Sequence, residues 1–175
     1  MKTMKTLSKA ALAGAIAVAG LASVPAPAEA QSQDSRLYRV TSSGKLRVCQ
    51  YPNYYAISYR NPTSGEIEGI DADLSKELAR ELGVELEIVE SSFGTFIADL
   101  QADKCEIGMF GIGATLTRAQ AVAFSDPYLI SSIYAVVKAG GPVQTWDDID
   151  QEGVRVVVTL GSYIEPFMRD YLKKA

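Results

Sequence analysis

Ile107-Gly108-Met109-Phe110-Gly111-Ile112-Gly113-Ala114-Thr115 is an apolar run that breaks into a glycine-rich loop. It predicts a buried strand whose carboxyl end opens directly onto that loop. Working backward, Phe96, Ile97 and Leu100 fall on one face of a helix, and Val84, Leu86 and Ile88 alternate with Glu85 and Glu87 as a half-buried strand. Leu74, Leu78 and Leu82 recur at i, i+4 and i+8, behind Asp71 or Asp73 as a cap and ahead of Gly83 as a stop. Leu46-Arg47-Val48 is a first short strand, followed by a polar, aromatic loop over residues 50–59 and a turn at Asn61-Pro62-Thr63-Ser64-Gly65. The alternation of strand and helix predicts an α/β fold. Two right-handed crossovers predict three parallel strands with the first in the middle. Ligands of such sheets lie beyond the carboxyl ends of the strands, so residues 50–55, 91–93 and 111–115 are expected to converge.

Composition excludes several chemistries. The 175 residues contain no His, so imidazole-based nucleophilic catalysis and His-ligated zinc are absent. At 47% hydrophobic and 22% charged residues the chain is an ordinary globular one. A net charge of −4 argues against nucleic acid as a partner. No metal or cofactor is expected. At the amino end, Lys2, Lys5 and Lys9 precede an apolar run over residues 10–24, then Pro25, Pro27 and Ala28-Glu29-Ala30. This pattern predicts a signal peptide over residues 1–30, cleaved after Ala30, and hence export to the periplasm. Its removal takes away three Lys and Glu29 and leaves a net charge of −6. Residues 31–44, rich in Ser, Gln and Thr, are expected to be a flexible leader.

The three converging loops suggest a small-anion site. Gly111 and Gly113 let backbone N–H groups approach a ligand, and Thr115 can cap a short helix. Arg118, one turn further on, carries a planar fork that suits a carboxylate. Tyr54 or Tyr55, with Phe93, offers apolar walls. Cys49 ends the first strand and Cys105 precedes the third, opposite ends of parallel neighbours, so two buried free thiols are expected.

Leu46-Arg47-Val48, Pro52-Asn53-Tyr54, Gly69-Ile70-Asp71-Ala72-Asp73-Leu74, Asp103-Lys104-Cys105-Glu106-Ile107, Phe124-Ser125-Asp126-Pro127-Tyr128 and Gly161-Ser162 follow one another in an order and spacing that resembles the family 3 extracytoplasmic solute-binding proteins. That resemblance implies a periplasmic binding protein-like, type II two-lobe architecture. It also implies an amino acid-like ligand captured by hinge closure, delivery to an ABC transporter permease, and a monomer with no catalytic residues. It assigns the α-carboxylate grip to Arg118 with Gly111 and Gly113, and aromatic stacking to Tyr54. The family often carries Thr where this chain has Gly113, and Asp where it has Tyr51. Without that acid, recognition of a basic or amide ligand side chain is weakened.

The first lobe is expected over residues 45–130, a hinge strand over 131–141 and a second lobe over 142–175. The second lobe would contain a strand over residues 154–160 and a helix carrying Ile164, Phe167, Met168, Tyr171 and Leu172. Gly161 and Ser162, opening that helix, would face Arg118 across the cleft. The family's second lobe is longer, so this chain reads as a partial one. The alternative is a cyclohexadienyl dehydratase-like enzyme on the same scaffold. It would need an acid in the cleft, with Asp71 and Asp73 as candidates by type, although capping and support behind the binding loops suits them better.

Overall fold

The computed structural model of the chain describes residues 35–175. The expected signal peptide and its cleavage site lie outside the described residues. The parallel sheet is the expected one. Its central strand β1 (Lys45–Gln50) is flanked by β5 (Glu85–Glu90) and β6 (Ile107–Gly108), with Val48 level with Ile88 on one side and Ile107 on the other. Helices α2 (Ile70–Leu82) and α3 (Phe96–Gln101) form the crossovers. Val40, Leu46, Val48 and Ala79 make the buried core, and Leu78, Leu82, Val84, Leu86, Ile88, Ile107 and Met109 pack around it.

α2 ends as expected at Gly83, whose left-handed φ of 67° returns its N–H to Ala79 and Arg80. Its start differs. Gly69, at φ 125°, is the N-cap and no side chain caps the helix. A Cβ on Gly69 would stand 2.6 Å from the Ile57 carbonyl oxygen, so only glycine lets α2 begin this close to the preceding loop. The inward face holds Asp71, Ala72, Ser75 and Ala79, while Leu74 is 39% exposed. Asp71 therefore points away from the helix end it was expected to cap.

Three further expectations are corrected. Part of the leader is ordered, because Arg36–Ser43 form helix α1, capped by the Ser35 hydroxyl, which accepts from the Tyr38 N–H. Its polar composition conceals a single docking residue, Val40, and a clamp in which Arg36 donates to the Leu100 and Cys105 carbonyls at 2.6 and 3.0 Å. The loop over residues 50–59 is not all loop. β2 (Asn53–Tyr54), β3 (Ser58–Arg60) and β4 (Ile67–Glu68) form a small antiparallel sheet, reversed at the Asn61 turn, too short for periodicity to show. Finally, Cys49 and Cys105 are not free thiols but a disulfide, with Cα atoms 5.6 Å apart. The strand-rise estimate failed because β6 is two residues long and the chain bends at Glu106 just before it, so Cys105 does not lie on the strand's line.

Beyond Phe124 the structure is largely irregular. Neither residues 131–141 nor residues 154–160 pair with another strand among the described residues, and Val136 and Val157 are almost fully exposed. A strand is defined by a neighbour that takes its backbone hydrogen bonds, and apolar composition alone does not supply one. Helix α5 (Ile164–Tyr171) forms, with Tyr163 as N-cap. Glu165 Oε2 accepts from the Gly161 N–H at 2.7 Å, whereas the buried Ser162 hydroxyl has no partner among the described residues.

Candidate functional site

The segments after β1, β5 and β6 meet at one rim of the sheet, as expected. Ser91 donates its N–H to the Gln50 carbonyl, and Met109 donates its own to Cys49. Rings from all three segments pack together: Phe93 lies 5.5 Å from Tyr51 in a tilted pair, and edge to face with Tyr54 at 5.9 Å and Phe110 at 5.1 Å. Tyr55, the alternative to Tyr54, lies against Tyr59 and is 78% exposed.

Thr115 caps helix α4 (Leu116–Ala119), its hydroxyl accepting from the Arg118 N–H at 3.2 Å. This short turn buries Arg118 to 7% exposure. One terminal nitrogen donates to the Gly113 carbonyl and the other to the Gly161 carbonyl, both at 2.8 Å. The guanidinium lies over Phe96 and Phe93, 5.2 and 6.0 Å from the ring centres. Among the described residues no carboxylate forms an ion pair with it. Burial accordingly holds it below the usual arginine range. A cation buried against rings and carbonyl oxygens can accept an anion.

Gly111, expected to offer a bare N–H, does not. It adopts φ 64° and donates to Asp71 Oδ2 at 2.5 Å. Asp71 Oδ1 accepts from the Tyr128 hydroxyl at 2.7 Å, so the fully buried carboxylate ties the glycine loop to the chain leaving the first lobe. Burial, and then the hydrogen bond to Asp71, raise the Tyr128 phenol far above its ordinary value and keep it a donor. The Asp71 backbone carbonyl accepts from Gln50 Nε2 and the Ser75 hydroxyl, which locks the start of α2 to β1. Support of the binding loops was thus a correct reading of Asp71, and capping was not. Gly161, at φ 73°, rests on the segment after β5, where a Cβ would stand 2.7 Å from the Gly94 Cα.

Sequence reasoning missed Tyr163, Phe96, Phe110 and Tyr128 as site residues. The three rings have no motif of their own, whereas Tyr128 belongs to a motif quoted only for its resemblance. Glu106 lies at the far end of the sheet, bonded to Arg47. A cavity of about 210 Å³ beside Tyr134 and Trp146 contains none of the rim residues and no charged side chain. Among the described residues no helix is long and apolar enough to cross a membrane.

Residues 46–171 match the family described as bacterial extracellular solute-binding proteins, family 3. The chain is 38% identical over 152 residues to the cyclohexadienyl dehydratase of Pseudomonas aeruginosa, covering 86% of this chain and 56% of that protein. It is 30% identical over 165 residues to the L-cystine-binding protein TcyJ of Escherichia coli K12, covering 93% of this chain and 60% of the relative. The solved structure of AncCDT-1, an ancestral amino acid-binding protein and precursor of cyclohexadienyl dehydratase, superposes with a TM-score of 0.75 at 34% identity, over 79% of this chain and 61% of that one. The chain thus spans a little over half the length of these relatives.

Proposed function

The chain belongs to the bacterial extracellular solute-binding proteins, family 3, and from that premise we propose that it captures a small amino acid-like carboxylate at the rim of its parallel sheet. The observation that carries this reading is the buried Arg118, held by two carbonyls and two rings with no carboxylate paired to it among the described residues. Two of its N–H groups are spent on the carbonyls, and the guanidinium has five, so donors remain for a carboxylate. A hydrogen bond to such a charged pair contributes about 1.5–3 kcal/mol. The unpartnered Ser162 hydroxyl, at 6% exposure beside Gly161, is a second polar group for the same ligand.

In this reading residues 131–141 act as the hinge. Ligand held by Arg118, Tyr51, Tyr54 and Phe93 is covered by Gly161 and Ser162, and the closed form is what a permease of the ABC type recognises in the periplasm. Moving an open-to-closed balance from 1:99 to 99:1 takes roughly 5.5 kcal/mol of differential affinity. The Arg118 fork supplies part of this, and contacts from the second lobe must supply the rest. A thermal-shift screen of the protein against the common amino acids tests the site. Stabilisation by at least one of them, abolished by Arg118→Ala, is expected. A response untouched by that substitution would place the ligand elsewhere.

The 38% identity to a cyclohexadienyl dehydratase favours a second reading, turnover on the same rim. Against it, both oxygens of Asp71 are already engaged by Gly111 and Tyr128, and Asp73, the other acid considered, is exposed and paired with Lys76. Incubation with prephenate or arogenate separates the two, because an aromatic product would establish the enzyme.

A further inference from the structure

Two glycines of the rim loop serve different purposes. Gly111 has a left-handed φ that favours glycine, whereas Gly113 does not. What Gly113 provides is space. A Cβ there would stand 2.8 Å from Cδ1 and 3.3 Å from Cε1 of Tyr163, so the Tyr163 ring already fills the volume of a side chain at position 113. On the other side, a Cβ at Gly111 would stand 3.0 Å from Cε1 of Tyr54. A tyrosine from each side of the rim therefore lies against one of the two glycines. After burial, the neighbouring Tyr163 is the next cause raising the Tyr54 phenol, which places the two phenols within electrostatic reach of each other.

Charge adds a second constraint. The carboxylates bonded to the rim glycines are Asp71 and Glu165, and all four oxygens are engaged. Asp71 accepts from Gly111 and Tyr128, and Glu165 accepts from Gly161 and Arg169. Each oxygen already accepts one of these bonds, which leaves at most one lone pair apiece for a ligand guanidinium or ammonium, and the Asp71 carboxylate is fully buried. The rings themselves could attract a cation, but Arg118 already lies over Phe93 and Phe96 and repels a second one.

Resting on the reading of Arg118 as the carboxylate grip, we propose that Tyr163 is a specificity-determining residue. Its ring, seated on Gly113, completes an aromatic wall with Tyr54 and Phe93 that selects carboxylates bearing a flat, uncharged ring over those with a basic side chain.

Isothermal titration of the full chain with L-phenylalanine, phenylpyruvate and L-arginine tests this. Given the worth of an aromatic pair, L-phenylalanine is expected to bind about tenfold more tightly than L-arginine. Tyr163→Phe keeps that ratio, and Tyr163→Ala brings it close to one. Gly113→Ala, which drives a methyl into the ring, weakens L-phenylalanine by about tenfold. In a Tyr163→Ala background the Gly113→Ala substitution is expected to weaken L-phenylalanine little further, which shows that the contact rather than misfolding was responsible. No preference for the ring-bearing ligands in the unaltered chain, or a ratio unmoved by Tyr163→Ala, overturns the inference even where Arg118→Ala abolishes binding. Binding indifferent to Arg118→Ala overturns the underlying carboxylate reading, and the inference with it.

Discussion

Asp71 shows how much one buried carboxylate can organise. Its two oxygens hold the Gly111 N–H and the Tyr128 hydroxyl, and its backbone carbonyl holds Gln50 and Ser75. The two acceptor roles of the carboxylate are not equivalent. Tyr128 is 53% exposed and can turn its hydroxyl to water, whereas the Gly111 N–H is held in the loop. Asp71→Ala is therefore expected to cost about 1–3 kcal/mol, the penalty of one unpaired buried donor, and Tyr128→Phe at least as much, because it leaves an oxygen of the fully buried carboxylate without its donor. Urea unfolding monitored by tyrosine fluorescence measures both, and a Tyr128→Phe loss near zero would show that the carboxylate oxygen does not depend on that hydroxyl. Asp71 was visible as a residue type behind Gly69, yet the sequence places it equally well as a helix cap. The burial of its side chain depends on the loop over residues 54–57 crossing beneath the helix start, which no local pattern encodes.

At the scale of elements, the disulfide closes a loop between β1 and the turn before β6. With a sequence separation of 56 residues, the chain-entropy estimate of its contribution is about 4 kcal/mol. Alkylation after denaturation without reductant is expected to label neither cysteine. Reduction should lower the denaturation midpoint markedly, and quantitative labelling without reductant would refute the bridge. The pairing was illegible because it depends on a two-residue strand and a bend, both set by how the turn over residues 102–104 packs. The opposite holds for β1, β5, α2 and α3, whose apolar spacing revealed them before any tertiary contact was known. The elements that failed, over residues 131–141 and 154–160, are apolar enough to be strands and have no described neighbour to pair with. Helix α1 fails the other way, since its register on the core rests on Val40 and on Arg36 reaching two distant carbonyls.

Across the whole molecule, acid rather than neutral pH is where stability should change. No His is present and both Cys are in the disulfide, so no side chain with an ordinary pKa near neutrality titrates between about pH 5 and 8. Asp99 is held below the usual carboxylate range by Lys104 first and then by the Ser91 hydroxyl. A carboxylate depressed in the folded state contributes stability that is complete above its unfolded value and is lost as pH falls through the folded one. Asp148, Asp150 and Glu165 shift in the same direction through backbone N–H donors. Thermal unfolding should therefore be nearly flat from pH 8 to about 5 and fall steeply below about 4, with Asp99→Asn reducing the slope. A steep change near pH 6.5 would contradict this account.

The spacing of apolar residues by itself determined the parallel sheet, its strand order and the rim where its loops converge, because hydrophobic period and crossover handedness are local or nearly so. It also singled out Arg118, since a capped turn after a glycine loop presents that side chain whatever surrounds it. Tertiary structure alone decided which donors at the rim remain available. Asp71 takes the Gly111 N–H, Tyr163 fills the space above Gly113, and Cys105 meets Cys49. Each of these contacts joins residues 40 to 56 positions apart in the chain. Their outcome depends on angstrom-scale placement that residue type and spacing do not carry.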